Sequence, residues 1–348
     1  MLRQDKRIKL LSLFVFGLSL LIVFIVGYIE KKNSDRNTVY YMVLLLTKGY
    51  RVKGIISNYF FFFWGYLLIT VLFEEMKEYF KVSVGILFSW GMWGILCSVF
   101  AFVGIPIHRV TVLLSLFIIM GLVLYTKKTN LLNLKNRISI NSLLLVASYI
   151  FIASSGILPG LVSGDSYYYI YHYGELIAQS GKMSFDLAGT YMTWAGITPA
   201  LLATFSALFG FETILIQHYL LVLSVILLII GELFWDTKEK EQNDRVSIMP
   251  TVSVLILSIF LAPMLIILPY QISNAYTMVY LTALLVIGEK YWIKEKVSMK
   301  ITALMTIFMV WLTLSRPEGF VLSAFFIICF GQFQDSKKRM CLLCCTTS

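Results

Sequence analysis

The sequence predicts an all-α fold: a polytopic transmembrane helical protein with about 9–11 spans and one large extracytoplasmic loop. Three observations predict it. Of the 348 residues, 59% are hydrophobic and only 14% are charged, against about 45–50% and about 25% in soluble chains. Mean hydropathy is +0.81. The apolar residues come in runs of roughly 20, the length a helix needs to cross a bilayer. A soluble chain of this size would make about two or three domains, yet could not keep so much apolar surface from water.

The net charge of +10 would suggest nucleic acid in a soluble protein. In this composition it reads instead as Lys and Arg in cytoplasm-facing loops, and no nucleic-acid partner is expected. The five cysteines, three of them Cys341, Cys344 and Cys345, form neither a disulfide framework nor a zinc spacing.

Element by element, Ile8 to Tyr28 follows Arg3, Lys6, Arg7 and Lys9 without a small-x-small cleavage site, so it reads as a signal anchor. Tyr40 to Thr47 is apolar but too short to cross and is taken as interfacial. Spans are expected at 55–73, 82–104, 109–126 and 139–158, then at 196–212, 213–235, 249–269, 271–288, 300–314 and 318–333. The chain divides into N-terminal transmembrane helices (1–158), a loop with an interfacial helix (159–195), C-terminal transmembrane helices (196–333) and a short cytoplasmic tail (334–348).

The loop is rich in Tyr, Gly and Ser and holds a single Lys or Arg, Lys182. Basic residues gather in cytoplasmic loops, so it is expected outside; a cytoplasmic loop that is merely poor in charge is the alternative. Basic clusters at Lys238–Arg245, Lys290–Lys300 and Lys337–Arg339 share one side, being two spans apart. With the loop outside, 196–235 must cross an odd number of times. The segment 196–212, which contains Pro199, is therefore expected to re-enter or lie in the interface. The six basic residues of 30–54 run against this topology.

Two places carry polar chemistry. Asp165 follows Gly164 and precedes a stretch of helical length from Ser166 to Gln179. It can take a proton, bind a divalent cation, or simply cap that helix. His172 and Glu175 lie on the same helix, and Lys182 follows Gly181. The second place is Leu314-Ser315-Arg316-Pro317-Glu318-Gly319, which interrupts an apolar run. Proline disfavours helix in the preceding residue, so two helices are expected to meet there. Ser315 and Glu318 have the Ser-x-x-Glu spacing of a capping box. That cap would aim a helix N-terminus beside Arg316, a fit for phosphate; a plain turn with Arg316 reaching lipid headgroups is the alternative. No Walker loop, dinucleotide fingerprint, HExxH or nucleophile elbow is present.

Four stretches together resemble the polytopic glycosyltransferases of the GT-C class, of protein-mannosyltransferase type. They are Gly164-Asp165-Ser166 with the Tyr-rich helix and Gly181; Thr198-Pro199 to Leu208-Phe209-Gly210; Ala262-Pro263 through Ser273-Asn274-Ala275-Tyr276; and Leu314 to Gly319. They cover about 160–330. Ser166 stands where many members carry a second acid, about five spans rather than one precede the loop, and the ending Cys-Leu-Leu-Cys-Cys-Thr-Thr-Ser raises the expectation of a C-terminal truncation or shifted frame.

The resemblance implies an enzyme, a hexosyltransferase. It would transfer a sugar from a polyprenyl-phosphate carrier to a glycan, teichoic acid or protein acceptor on the outer face of a bacterial plasma membrane, in cell-envelope polysaccharide biosynthesis. Asp165 would be the catalytic base, or would hold a divalent cation, Mg or Mn. Arg316 would bind phosphate, and Glu318, His172, Glu175 and Lys182 would contact substrate. A polysaccharide polymerase, a flippase or transporter of lipid-linked glycans, and a non-catalytic membrane subunit are the alternatives. The first would be expected to use outer-loop arginines, absent from 159–195. The second would be expected to bury charges mid-membrane.

Overall fold

The computed structural model describes residues 10, 13–21, 25, 49–127, 138–154, 172–182, 197–210, 213–231, 272–293 and 298–332. Among them the chain is helical, without a strand. Helical residues 13–21 precede α1 (Gly49–Leu72), α2 (Glu78–Val103), α3 (Arg109–Thr126), α4 (Ile140–Ser154), α5 (His172–Ser180), α6 (Ile197–Phe209) and α7 (Thr213–Leu228). Then come α8 (Ile272–Ile287), which continues as a π-helical turn (Gly288–Ile293), α9 (Met299–Ser315) and α10 (Pro317–Gln332). Of these, residues Gly54–Leu72 of α1, all of α2 and all of α3 are long and apolar enough to cross a membrane.

Chain directions follow from named contacts. The turn 73–77 joins α1 to α2 and defines one end of the bundle, the hairpin end; the loop 104–108 after α2 marks the other. At the hairpin end Lys300 pairs with Glu75 at 3.6 Å, Tyr291 packs edge-on to Phe80, and the Ser139 N–H donates to the Tyr66 hydroxyl at 3.0 Å. So α4 and α9 leave from that end, while α8 arrives there. In α7, the Ser83 hydroxyl donates to the Ser224 carbonyl at 2.6 Å and Gly231 lies against the Tyr79 ring, so α7 also runs toward it. At the level of Trp311 and Gly94, α9 is heading for the opposite end, where Ser315 meets Thr277 at 2.8 Å. From there α10 returns, its Ser323 hydroxyl accepting from Thr313 at 3.1 Å.

Apolar contact alone gives such helices no orientation, since lipid tails are as apolar as leucine; small residues and polar groups supply it. At the α1–α2 crossing Gly65 and Gly85 let the two backbones touch: a Cβ on Gly65 would lie 2.2 Å from the Gly85 carbonyl oxygen. Around the crossing, side-chain donors reach carbonyls of neighbouring helices. Ser89 donates to Phe61 at 2.7 Å, Trp64 to Leu116 at 2.9 Å, Tyr149 to Tyr219 at 2.9 Å and Tyr280 to Leu87 at 2.8 Å. The rings of Phe61, Trp93 and Phe205, in edge-on and tilted contacts, fill the space between them.

Burial separates the long helices by role. In α2, 56% of the apolar window is buried inside the protein, and in α3 only 11%. The apolar stretch of α1 is 61% buried, so α1 and α2 form the inner pair and α3 presents its apolar side chains outward.

Most expected spans match helices, and 13–21 falls within the expected 8–28. Residues 249–269 and the expected interfacial 40–47 lie outside the described residues. The 196–212 segment, like most of the expected spans, forms a helix shorter than a membrane crossing. At 13 residues, α6 is about 20 Å long, short of the roughly 30 Å hydrocarbon layer. It starts beside the middle of α2, where the Trp93 indole donates to the Leu201 carbonyl at 3.0 Å, and ends at the loop 104–108, where Arg109 donates to the Leu208 carbonyl. The helix α5 packs at the same end, against α6 and the loop 104–108.

Candidate functional site

The site is built on the loop 104–108, α5 and the end of α6. Gly104 stops α2 in the left-handed conformation, φ 78°, and the Ile105 N–H closes back on the Phe100 carbonyl at 2.8 Å. This is the glycine stop that leaves a helix without a Cβ clash. At the start of α3 the His108 N–H donates to the Thr111 hydroxyl at 3.0 Å, which satisfies a donor that the helix cannot.

In α5 the apolar side faces inward: Tyr173, Gly174 and Ile177 are buried, while His172, Gln179 and Ser180 are exposed. Gly174 permits contact with α6; a Cβ there would lie 2.3 Å from the Ala203 carbonyl carbon. The helix ends at Gly181, φ 69°, whose carbonyl accepts from the Ile107 N–H at 2.6 Å and whose Cα faces the His108 ring. Burial raises the Tyr173 hydroxyl above its ordinary pKa, because the phenolate would lose its hydration. Among the described residues the hydroxyl finds no hydrogen-bond partner.

These contacts leave an open cleft of about 480 Å³ lined by His108, Arg109, Val110, Glu175, Ala178, Gln179, Ala207 and Leu208. Glu175 is the one residue expected from the sequence that lines it. His172 stands exposed at the first turn of α5, and Lys182 is exposed just past its end. Among the described residues no three His, Cys, Asp or Glu side chains converge as a metal cluster. Asp165 lies outside the described residues.

Arg316 and Glu318 occupy the α9–α10 turn, at the same end of the bundle. The two helices meet at Pro317 as expected, but the capping box does not form. The Ser315 hydroxyl donates to the Leu312 carbonyl at 2.7 Å and lies 2.8 Å from Thr277 Oγ1. Glu318 turns to Arg316 instead, its Oε2 3.1 Å from Arg316 Nε. The arginine side chain is 16% exposed and the glutamate 63%. The carboxylate is open to solvent, so its share of the pair contributes little: Glu318→Ala should lower stability by no more than about 1 kcal/mol, read from thermal unfolding in detergent.

No family model, curated protein or solved structure matches the chain. His108, Arg109 and Gln179 are the residues that sequence reasoning missed. The signal was a His-Arg pair at the start of an apolar run, with Arg109 counted only as the first residue of the span expected at 109–126.

Proposed function

We propose that this protein is a multi-pass membrane glycosyltransferase that moves a sugar from a polyprenyl-phosphate carrier to an envelope glycan or other acceptor on the outer face of a bacterial plasma membrane. The observation that carries the reading is the cleft: a carboxylate, an imidazole and a guanidinium line an open cavity at the end of an apolar bundle. Residues 155–171, which include Asp165, connect α4 to α5, the helix that supplies Glu175.

Charge supports the orientation. Lys77 and Lys81, the four basic residues of 127–137 and the clusters after α7, α8 and α10 adjoin the hairpin end, sixteen Lys and Arg in all. The stretch 30–54 with Arg109, Lys182 and Arg316 gives nine at the other end. The hairpin end is then cytoplasmic and the cleft faces outward.

In the reaction, Asp165 takes the proton of an acceptor hydroxyl. The acceptor oxygen bonds to the sugar's anomeric carbon as the bond from that carbon to the carrier phosphate oxygen breaks, and polyprenyl phosphate leaves with the electron pair. Arginines of this end, Arg109 and Arg316, stabilise the charge that grows on the leaving phosphate. An oriented base contributes about 10²–10⁴-fold, so Asp165→Asn should lower transfer by about that factor.

The test is complementation of a deletion strain with wild type or Asp165→Asn at equal expression, with mass spectrometry of the envelope glycan. Restoration of a missing sugar by wild type alone supports the reading. Restoration by both makes Asp165 a helix cap, and an unchanged glycan removes the transferase.

A further inference from the structure

We propose that the half of the bundle nearest the cleft holds a line of bound water, running from Gln217 at mid-depth to Tyr173 beside the cleft. The inference needs neither a sugar nor a phosphate, and stands apart from the proposed transfer.

Polar side chains inside an apolar bundle are expected to find partners, because a buried amide or hydroxyl left alone costs free energy. Many here do. The Trp64 and Trp93 indoles donate to carbonyls of other helices, as do the Tyr149 and Tyr280 hydroxyls. Ser98 and Ser148 return their hydrogens to the carbonyl one turn back. Five side chains behave differently. Neither amide atom of Gln217, nor Trp90 Nε1, Trp311 Nε1, Ser206 Oγ or the Tyr173 hydroxyl has a partner among the described residues. Gln217, Ser206 and Trp311 are 0% exposed, Trp90 2% and Tyr173 6%, so bulk solvent does not reach their polar atoms.

Their places form a series. Ser83 of α2 donates to the Ser224 carbonyl of α7, and the two helices run in opposite directions. Trp90 comes seven residues after Ser83, and Gln217 seven before Ser224. Seven residues make close to two helical turns, so Trp90 and Gln217 share the α2–α7 face at one level. The Trp311 ring occupies the place of a Cβ on Gly94, one turn further along α2. Ser206 lies on α6 between the Leu201 carbonyl bonded to Trp93 and the Leu208 carbonyl bonded to Arg109. Tyr173 adjoins Gly174, which meets α6 at Ala203. Asn141 Oδ1, also without a partner, starts α4 at the hairpin end and stands outside the series.

The chemistry selects the ligand. None of the five side chains is charged. The indoles only donate, whereas Gln217, Ser206 and Tyr173 both donate and accept. A neutral molecule that can do both is required. Ring contacts of 5.3 Å between Trp93 and Phe205 and 4.7 Å between Phe205 and Phe209 leave little room beside them. Water meets both conditions, and a buried water typically makes about three such bonds. It carries hydration from the cleft to a depth where lipid supplies none.

Radiolytic footprinting of the full chain in detergent tests this. Hydroxyl radicals formed from bound water oxidise the side chains beside it, and tandem mass spectrometry reads each residue. Trp64, Trp90, Trp93 and Trp311 are buried alike, so bulk water does not separate them. Trp90 and Trp311 should oxidise several-fold faster than Trp64 and Trp93. Gln217→Met keeps the length of the side chain and removes both polar atoms; oxidation of Trp90 should fall to that of Trp93, with a thermal transition no higher than wild type. Ser206→Ala, which removes a link between centre and cleft, should lower oxidation of Trp311. Equal oxidation of the four indoles overturns the proposal, as does indifference of Trp90 and Trp311 to both variants. A higher thermal transition in Gln217→Met also overturns it, because that is the result of removing an amide that nothing satisfies.

Discussion

The Gly65→Leu chain should fail to assemble as a stable bundle. A Cβ at this position would lie 2.0 Å from the Ser89 hydroxyl oxygen and 2.2 Å from the Gly85 carbonyl oxygen. The second neighbour is backbone and has no rotamer to escape through, so α1 and α2 must separate. Separation also breaks the Ser89–Phe61 hydrogen bond, which spans the crossing at 2.7 Å. Overpacking a core that can shift costs about 1–3 kcal/mol; here an inner helix itself moves, and the loss should exceed about 3 kcal/mol. Thermal unfolding in detergent, followed by size-exclusion fluorescence, reads it. Gly121→Leu is the control, because nothing lies within 4 Å of a Cβ there and the added side chain faces outward on α3. A Gly65→Leu chain that melts with wild type would show that the helices do not cross so closely.

The same crossing shows what the sequence does and does not reveal. Long apolar runs bounded by polar residues mark α2, expected at 82–104 and found at Glu78–Val103, and α9, expected at 300–314 and found at Met299–Ser315. Burial of such runs from water is decided locally, so a window of one helix length detects them. Which face meets which neighbour is not local. Both α2 and α3 pass the same test of length and apolarity, yet one is inner and the other faces out; the difference lies in Gly85, Ser83 and Ser89, whose partners are on α1 and α7.

Depth is equally hidden. The expectation that 196–212 re-enters or lies in the interface came only from the parity of basic loops, whereas the position of α6 is fixed by Trp93 and Arg109, each about a hundred residues away along the chain. The failed capping box at Ser315 has a similar cause: Thr277, on α8, competes for the hydroxyl. Of the expected site, Glu175 was legible because charged residues are scarce in this composition, whereas Arg109 acquires its setting only when α5 and α6 fold against the start of α3.

Gly174→Val should separate the cleft from the bundle without unfolding the bundle. The added Cβ would lie 2.3 Å from the Ala203 carbonyl carbon and 2.5 Å from the Thr204 nitrogen, so α5 must lift off α6. Yet α5 is only nine residues long, and the hydrogen bonds that join α2 to α1, α7 and α8 lie elsewhere. The core therefore has little reason to melt. Glu175 and Gln179 move away from His108 and Arg109, and the Gly181–Ile107 hydrogen bond that ties α5 to the loop is strained or lost. Misplacing a catalytic or binding group by about 1 Å costs on the order of 10²-fold, so the proposed sugar transfer should fall by at least about that much. A cysteine introduced at the buried Ile177 supplies a readout independent of activity. It should react slowly with maleimide in the otherwise unchanged chain and quickly beside Gly174→Val, while the thermal transition stays close to wild type. Slow labelling in both would mean that α6 yields rather than α5, and that the cleft survives the substitution.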